Sequence, residues 1–292
     1  MFTVAHDHAQ PLSTVTLTDQ DSGTQATICP ERGGMATGLR VHGHPIFFLD
    51  PESFNDLSRN VRGGNPVLFP SPGKLTDDTW ARDGMTGKMK QHGFARILPW
   101  RVSQTQAGPT ASVTLALDSD QTTAALYPFE FQARYTYSLL SDGLRIEQTF
   151  TNTGNKTMPF GAGFHPYFQV PQAHKAATTI TTAATEAFDN TTKTLIPFDG
   201  FDLASKEVDH HLIDHGSAQS ALHRPDLGLT IHVKCSPEFT HWVVWTLQGR
   251  DFVCLEPWTC PGDALNNGDR LFRLEPGATR TIWTEITAQL QG

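Results

Sequence analysis

An alternation of apolar and polar residues between Phe129 and Ser138 limits the fold more than any other feature of this sequence. The stretch reads FEFQARYTYS, and its apolar positions are Phe129, Phe131, Ala133, Tyr135 and Tyr137. Successive side chains of a β-strand point to opposite faces, so a period of two predicts a strand with one buried face.

A second alternating run follows directly. The turn residues 141–143 (Ser-Asp-Gly) come first, and Leu144, Ile146 and Phe150 then resume the alternation, with Gln148 as an interruption. An Asp-Gly pair between two alternating runs is typical of a hairpin turn. The two runs are therefore predicted to pair as antiparallel strands.

Strand-like runs recur along the whole chain, whereas helical periodicity is weak throughout. The further candidates are Thr14–Leu17, Ala111–Leu117, Leu229–Cys235, His241–Leu247, Phe252–Leu255 and Thr279–Ile286. Regular short strands separated by Gly and Pro turns predict an all-β fold, a large antiparallel β-sandwich or a barrel. No linker or repeat divides the sequence, so residues 1–292 are predicted to form a single domain. The unpatterned segment Ser71–Gln91 is predicted to be a long loop.

Composition and charge exclude several classes of protein. The net charge is −8, without a dominant basic patch, which argues against nucleic acid as a partner. No run of apolar residues is long enough for a membrane helix, and the first residues lack a signal-peptide pattern, so a cytoplasmic protein is expected. The four cysteines form no CxxC pair and are expected to be buried, reduced thiols.

Two glycine-containing clusters carry basic side chains. The first reads VRGGNPVLFP and contains Arg62, and the second reads QHGFAR and contains His92 and Arg96. Glycines let a ligand approach the backbone closely, and an Arg fork suits hydroxyl, carboxylate or phosphate groups. The same residues also fit a tight turn and a loop-to-strand junction with solvated arginines.

Two further clusters contain groups suited to acid–base chemistry. In GAGFHPYF, His165 lies among aromatic residues, and in FVCLEPWT, Glu256 ends an apolar strand. Desolvation shifts the pKa of either group and suits it to proton transfer near neutral pH. A core histidine bonded to the backbone and a carboxylate at a wet strand end are the plain alternatives. The aromatic residues predicted to form a wall of the site are Phe164, Tyr167, Phe168 and Trp258.

A metal site is not predicted. His210, His211 and His215 have a zinc-like rhythm, but adjacent strand residues point to opposite faces and no HExxH is present. These histidines are expected to be surface or packing residues.

In combination and order, RGGNPVLFP, QHGFAR, GFHPYF and CLEPWT resemble the aldose 1-epimerase (galactose mutarotase-like) superfamily, near its hexose-6-phosphate mutarotase branch. The resemblance implies a β-sandwich with an open sugar site. It implies His165 as general acid and Glu256 as general base, with Arg62, His92 and Arg96 beside the sugar. It also implies a site aspartate, for which Asp209 is the best match and Asp199 and Asp202 compete.

The implied reaction is the interconversion of the α and β anomers of a hexose or hexose 6-phosphate by ring opening, which needs no cofactor. Arg62, Arg96 and Lys74 are candidates for an anion site. The first motif is shorter than in galactose mutarotases, which argues against galactose. The expected partner is a small sugar or sugar phosphate, and the expected assembly is a monomer or homodimer. The alternatives are a non-catalytic carbohydrate sensor and a glycosidase with a second carboxylate.

Overall fold

The computed structural model describes residues 1–8 and 12–291. The strands of the first half are β1 (Phe2–Asp7), β2 (Thr14–Asp19), β3 (Gln25–Cys29), β4 (Met35–Val41), β5 (His44–Pro45), β6 (Val67–Leu68), β7 (Thr79–Arg82), β8 (Met85–Lys88), β9 (Arg101–Gln106), β10 (Ser112–Asp118), β11 (Phe131–Leu140) and β12 (Gly143–Asn152).

The strands of the second half are β13 (Met158–Phe160), β14 (Gly163–Phe164), β15 (Tyr167–Gln169), β16 (Thr179–Thr181), β17 (Glu186–Asp189), β18 (Thr194–Pro197), β19 (Glu207–Leu212), β20 (Gln219–Arg224), β21 (Leu229–Cys235), β22 (His241–Leu247), β23 (Phe252–Trp258), β24 (Phe272–Leu274) and β25 (Thr279–Leu290). Short α-helices occupy Pro51–Asn55, Gln121–Ala124 and Ala264–Asn267, and 3-10 turns occupy Thr76–Asp78, Gln172–Ala177 and Pro225–Leu227.

Two large antiparallel sheets form the sandwich. Sheet I has the order β16-β20-β21-β25-β12-β11-β10-β9, and sheet II has the order β18-β17-β19-β22-β23-β14-β6, with β15 also paired to β23. Strands β1 to β5 form a smaller sheet, and β7 with β8 forms a separate hairpin. The predicted all-β sandwich is confirmed.

The hairpin predicted from the alternating pattern is the centre of sheet I. Strand β11 pairs with β12 so that Leu140 faces Gly143 across the turn. Gln148 does not break the pattern, because its side chain is buried and its amide donates to the Tyr135 hydroxyl at 2.6 Å. This bond satisfies the amide nitrogen of Gln148 on the buried face, whereas its amide oxygen is buried without a hydrogen-bond partner among the residues described.

The core lies between the two sheets. Tyr135 of sheet I and Phe164 of sheet II are both buried, and their ring centroids are 6.0 Å apart. Burying each such side chain contributes about 1.5–3 kcal/mol. The remaining predicted strands are confirmed as β2, β10, β21, β22, β23 and β25.

The prediction of a long loop at Ser71–Gln91 is wrong in part. The segment holds the 3-10 turn Thr76–Asp78 and the hairpin of β7 and β8. Trp80 anchors this hairpin, since its side chain is fully buried and its indole N–H donates to the Leu126 carbonyl oxygen at 3.1 Å. With only four residues in each strand, the hairpin is too short for its alternation to stand out in the sequence.

The four cysteines are buried and unpaired, as predicted. Among the residues described, no helix has the length and apolar character needed to cross a bilayer.

Candidate active site

An open cavity of about 650 Å³ lies on the outer face of sheet II. It brings together all six residues that the sequence predicts for the site: Arg62, His92, Arg96, His165, Asp209 and Glu256. These residues are far apart in the chain, and the order of strands in sheet II is what assembles them.

Alternation along β23 directs Glu256 into the cavity. Val253 and Leu255 belong to the sandwich core, whereas Glu256 and Trp258 line the cavity on the opposite face. The strand is buried along its whole length because core residues cover one face and cavity residues cover the other. The carboxylate of Glu256 is therefore largely shielded from water.

His165 lies in the short link between β14 and β15. Its backbone N–H donates to the Pro66 carbonyl oxygen at 3.1 Å, which ties the link to the RGGNP segment. Its ring stacks on Tyr167, with centroids 4.7 Å apart and planes 7° apart. The imidazole is consequently held at the cavity surface, where 9% of the residue is exposed.

His165 and Glu256 form a close pair. The Nε2 atom of His165 lies 3.4 Å from Oε1 of Glu256. Burial and, to a smaller extent, the charge of Arg96 lower the pKa of His165 to about 3. Burial raises the pKa of Glu256 well above its usual range, and the charge of Asp209 raises it further. The site thus disfavours both the imidazolium and the isolated carboxylate.

Two neighbours stabilise the ionised form of Glu256. The indole N–H of Trp258 donates to Oε2 at 3.2 Å, and this bond opposes the rise in the pKa of Glu256. Arg96 acts in the same direction through its charge. Its Nη2 donates to the Gln91 carbonyl oxygen at 2.8 Å, so the guanidinium is fixed in place.

His92 is oriented by the backbone. Its Nδ1 accepts from the N–H of Gly73 at 3.0 Å, and burial lowers the pKa of His92 well below its usual value. A neutral ring that accepts at Nδ1 carries its proton on Nε2. His92 can therefore donate a hydrogen bond into the cavity, and the family resemblance places the sugar next to this residue.

Gly93 is required for this placement of His92. It has φ +74°, and a Cβ there would lie 2.2 Å from the Phe69 carbonyl oxygen. We expect Gly93→Ala to lower the free energy of unfolding by at least about 2 kcal/mol, because backbone strain and a backbone clash add together. Gly84→Ala is the matched control, since Gly84 has φ +75° with nothing within 4 Å of the added Cβ.

Urea denaturation of both variants measures this difference. The control should lose only about 1–2 kcal/mol, the cost of the left-handed conformation alone. Equal losses in the two variants would show that close packing around Gly93 is unimportant.

Asp209 is the one of the three candidate aspartates that reaches the cavity. Its Oδ2 accepts from the Asn190 side chain at 2.7 Å, and its Oδ1 lies 3.5 Å from Nε2 of His211. Asp202 instead accepts bonds from its own turn, and Asp199 is exposed outside the cavity lining.

The histidine predictions are correct for two of the three residues. His210 packs on Phe201, and His215 is buried against Trp242. His211 is not a surface or packing residue, because it shares the face of Asp209 two positions away and lines the cavity.

The predicted aromatic wall also needs correction. Tyr167 and Trp258 line the cavity, but Phe164 and Phe168 point into the core. Alternation explains the error, because residues 164 and 168 lie on the face opposite residues 165 and 167. Trp245, on β22, completes the wall, and its place in a predicted strand does not by itself indicate this role.

His165, Cys254 and Glu256 each have an atom that could bind a metal ion, and these three atoms lie within 4.8 Å of one another. Among the described residues, this is the only group of three or more such side chains found. Burial raises the pKa of the Cys254 thiol well above its usual value. A metal ion bound there would have to displace that proton, because the thiolate is the ligand form.

Comparison with known proteins bears on the family of this chain. Residues 14–287 match the family described as "Aldose 1-epimerase". The chain belongs to the aldose 1-epimerase family. Its members interconvert sugar anomers, so the protein is an isomerase of the mutarotase kind.

Relatives cover nearly all of the chain. The Slr1438 protein of Synechocystis sp. PCC 6803 is 37% identical, with a TM-score of 0.93 and 99% of both chains covered. Protein LacX of Lactococcus lactis is 26% identical over 86% of this chain and 89% of LacX. A galactose mutarotase-like protein of Clostridium acetobutylicum, 19% identical with a TM-score of 0.84 and 99% of both chains covered, shares the fold.

Proposed function

We propose that this aldose 1-epimerase family member interconverts the α and β anomers of a hexose, with Glu256 as the base and His165 as the acid. The observation that carries the proposal is the contact of 3.4 Å between the two side chains at the cavity surface. An acid beside a base is what ring opening requires, since one proton must leave the sugar as another arrives.

The pair holds one proton over a wide range of pH. Burial favours the uncharged form of both groups, so a second proton is added only in strong acid and the last is lost only at raised pH. Catalysis with Glu256 as the base uses the state in which that proton lies on His165. The hydrogen bond from Trp258 to Glu256 supports this state, because it stabilises the carboxylate.

In the proposed reaction, Glu256 removes the proton of the anomeric hydroxyl while the C1–O5 bond breaks and C1 becomes an aldehyde. His165 gives its proton to O5. Rotation about C1–C2 then presents the other face of the carbonyl. On closure, O5 returns its proton to His165 and Glu256 returns its proton to O1, so the pair is restored without any cofactor.

The lowered pKa of His165 predicts that activity persists down to an unusually acidic pH. With the pKa of His165 at about 3, we expect kcat/KM to fall only as pH falls through about 3, where the pair gains its second proton. Polarimetric rates across pH, corrected for the uncatalysed reaction, measure this limit. Circular dichroism at each pH defines the folded range. An acid limb at the usual pKa of a glutamate, near 4.5, would contradict the proposed desolvation of the pair.

Three basic residues on one side of the cavity could bind the phosphate of a phosphorylated hexose. Arg62, Lys74 and Arg96 all line the cavity, and both Arg62 and Lys74 are exposed. If a phosphorylated hexose binds here, Arg62→Gln should raise KM for a hexose 6-phosphate about tenfold while changing KM for the free hexose little, because a charge-assisted bond is lost. Arg273→Gln, at a surface ion pair with Asp83, is the control. An equal effect on both substrates would argue against a phosphate contact at Arg62.

Polarimetry of freshly dissolved α-D-glucose, α-D-galactose and D-glucose 6-phosphate tests the proposed activity. We expect the rate towards equilibrium to rise in proportion to protein concentration for at least one sugar. Binding of a sugar without a faster rate would favour a carbohydrate sensor. We further propose that the protein acts in the cytoplasm on a small sugar, as a monomer or homodimer, without a nucleic-acid partner.

A further inference from the structure

A chain of polar contacts runs from Arg270, outside the cavity lining, through two histidines to Asp209. Arg270 Nη2 lies 3.4 Å from Nδ1 of His241, and Nε2 of His241 lies 2.9 Å from Nδ1 of His211. Nε2 of His211 lies 3.5 Å from Oδ1 of Asp209. The proposed proton transfers do not use Arg270, His241 or His211.

Arg270 determines which atom donates and which accepts in each contact of this series. A guanidinium has only donors, so Nδ1 of His241 must be the acceptor. His241 is 2% exposed, and burial lowers its pKa well below the usual value, so its ring is neutral. The single proton of His241 is therefore on Nε2, where it donates to His211. Because His211 accepts at Nδ1, its own proton is on Nε2 and faces Asp209.

His241, in the middle of this chain of contacts, differs in exposure from the two residues that follow it. His241 is almost fully buried, whereas the side chains of His211 and Asp209 are 20% and 22% exposed. Burial is the largest single influence on the pKa of Asp209 and raises it, but the bonds from His211 and Asn190, together with the charges of His211 and Lys193, outweigh burial and hold that pKa below its usual value. Asn190 fixes one carboxylate oxygen from the other side at 2.7 Å.

We infer that Arg270 and His241 are positioning residues that fix the tautomer of His211 and thereby keep Asp209 ionised and aimed at a sugar hydroxyl. The inference rests on the proposed function, because it gives Asp209 a bound sugar to contact. Without the donor of His241, the proton of His211 is free to move to Nδ1. A bare Nε2 would then face the carboxylate and repel it.

A packing role for His241 is the competing explanation. Its ring stacks on Trp258 with centroids 5.6 Å apart and planes 30° apart, and Trp258 holds Glu256. Two substitutions separate the roles. His241→Phe keeps a flat ring against Trp258 but has no donor, whereas His241→Gln loses the ring and keeps an amide donor near the position of Nε2.

Steady-state mutarotation of the two variants gives the kinetic test. We expect His241→Phe to raise KM about tenfold with kcat little changed, since it weakens one hydrogen bond to a charged acceptor. His241→Gln should keep a KM close to that of the unsubstituted protein. The opposite order, with His241→Gln impaired and His241→Phe normal, would show that ring packing is what matters and overturn the inference.

Nitrogen NMR of the histidine rings in the sugar-free protein gives a test that does not depend on activity. We expect His211 and His241 each to show a protonated Nε2 and a bare Nδ1, and His211 to lose this single pattern in His241→Phe. A protonated Nδ1 on His211 in the unsubstituted protein would overturn the inference. If the protein lacked mutarotase activity, the proposed function would fail, while the NMR result would still decide the direction of the hydrogen bonds.

Discussion

We expect Glu256→Gln to slow the interconversion of anomers about a hundredfold to ten-thousandfold, the usual contribution of a positioned acid or base. The amide has nearly the shape of the carboxylate and still fills its place beside His165 and Trp258. It cannot take the proton of the anomeric hydroxyl. Polarimetry at saturating sugar measures the loss, which should appear in kcat because the base acts in the transition state.

Protein stability provides the control for this result. The raised pKa of Glu256 in the folded state means that its stabilising contribution is complete below the unfolded pKa and is lost as pH rises through the folded pKa. Glu256→Gln should thus raise Tm at alkaline pH and leave it nearly unchanged below pH 4.5, the usual pKa of the group.

Glu147→Gln is the matched control variant, because Glu147 is exposed on sheet I. It should keep full activity. Retained activity in a folded Glu256→Gln protein would show that another group is the base.

His165→Gln is expected to cause a loss of similar size, about a hundredfold to ten-thousandfold, because the acid that protonates O5 is removed. The stack on Tyr167 and the bond from the His165 backbone to Pro66 show that the residue also shapes the cavity. Thermal unfolding and sugar binding must therefore be measured alongside kcat. A variant that folds and binds sugar but does not exchange anomers is the expected outcome.

The double variant distinguishes a proton-sharing pair from two independent groups. Because the two side chains are in contact and share one proton, we expect the double variant to be no slower than the slower single variant. Independent contributions would multiply instead. Multiplied losses would mean that His165 and Glu256 act on separate steps without sharing a proton.

The sequence predicts the fold well because its signal is local. The hairpin of β11 and β12 follows from the alternation and from the Asp-Gly turn. The buried position of Gln148 does not follow, because its partner is the Tyr135 hydroxyl on the neighbouring strand. The short strands β7 and β8 escape prediction because four residues carry too little periodicity.

Site residues that lie in distinctive sequence motifs can be predicted from the sequence. Site residues that reach the cavity only through the order of strands in the sheet cannot. His165 and Glu256 stand out as polar groups within apolar, aromatic runs. His211 and Trp245 do not, since their role depends on β19 and β22 lying beside β23. Once the face of Asp209 is known, the period of two assigns His211 to the cavity and places His210 on the other face.

A continuous core from Val15 to Ala288 supports our proposal that the chain forms a single domain.

Saturation-transfer NMR on a hexose at anomeric equilibrium tests the central claim most directly. Irradiating the β-anomeric proton should reduce the α signal in proportion to the concentration of the unsubstituted protein, because the anomers exchange at its site. The double variant at His165 and Glu256 should bring that transfer back to the rate without protein. Transfer that stays at the uncatalysed rate across the sugars tested, while sugar binding is detected, would contradict the account.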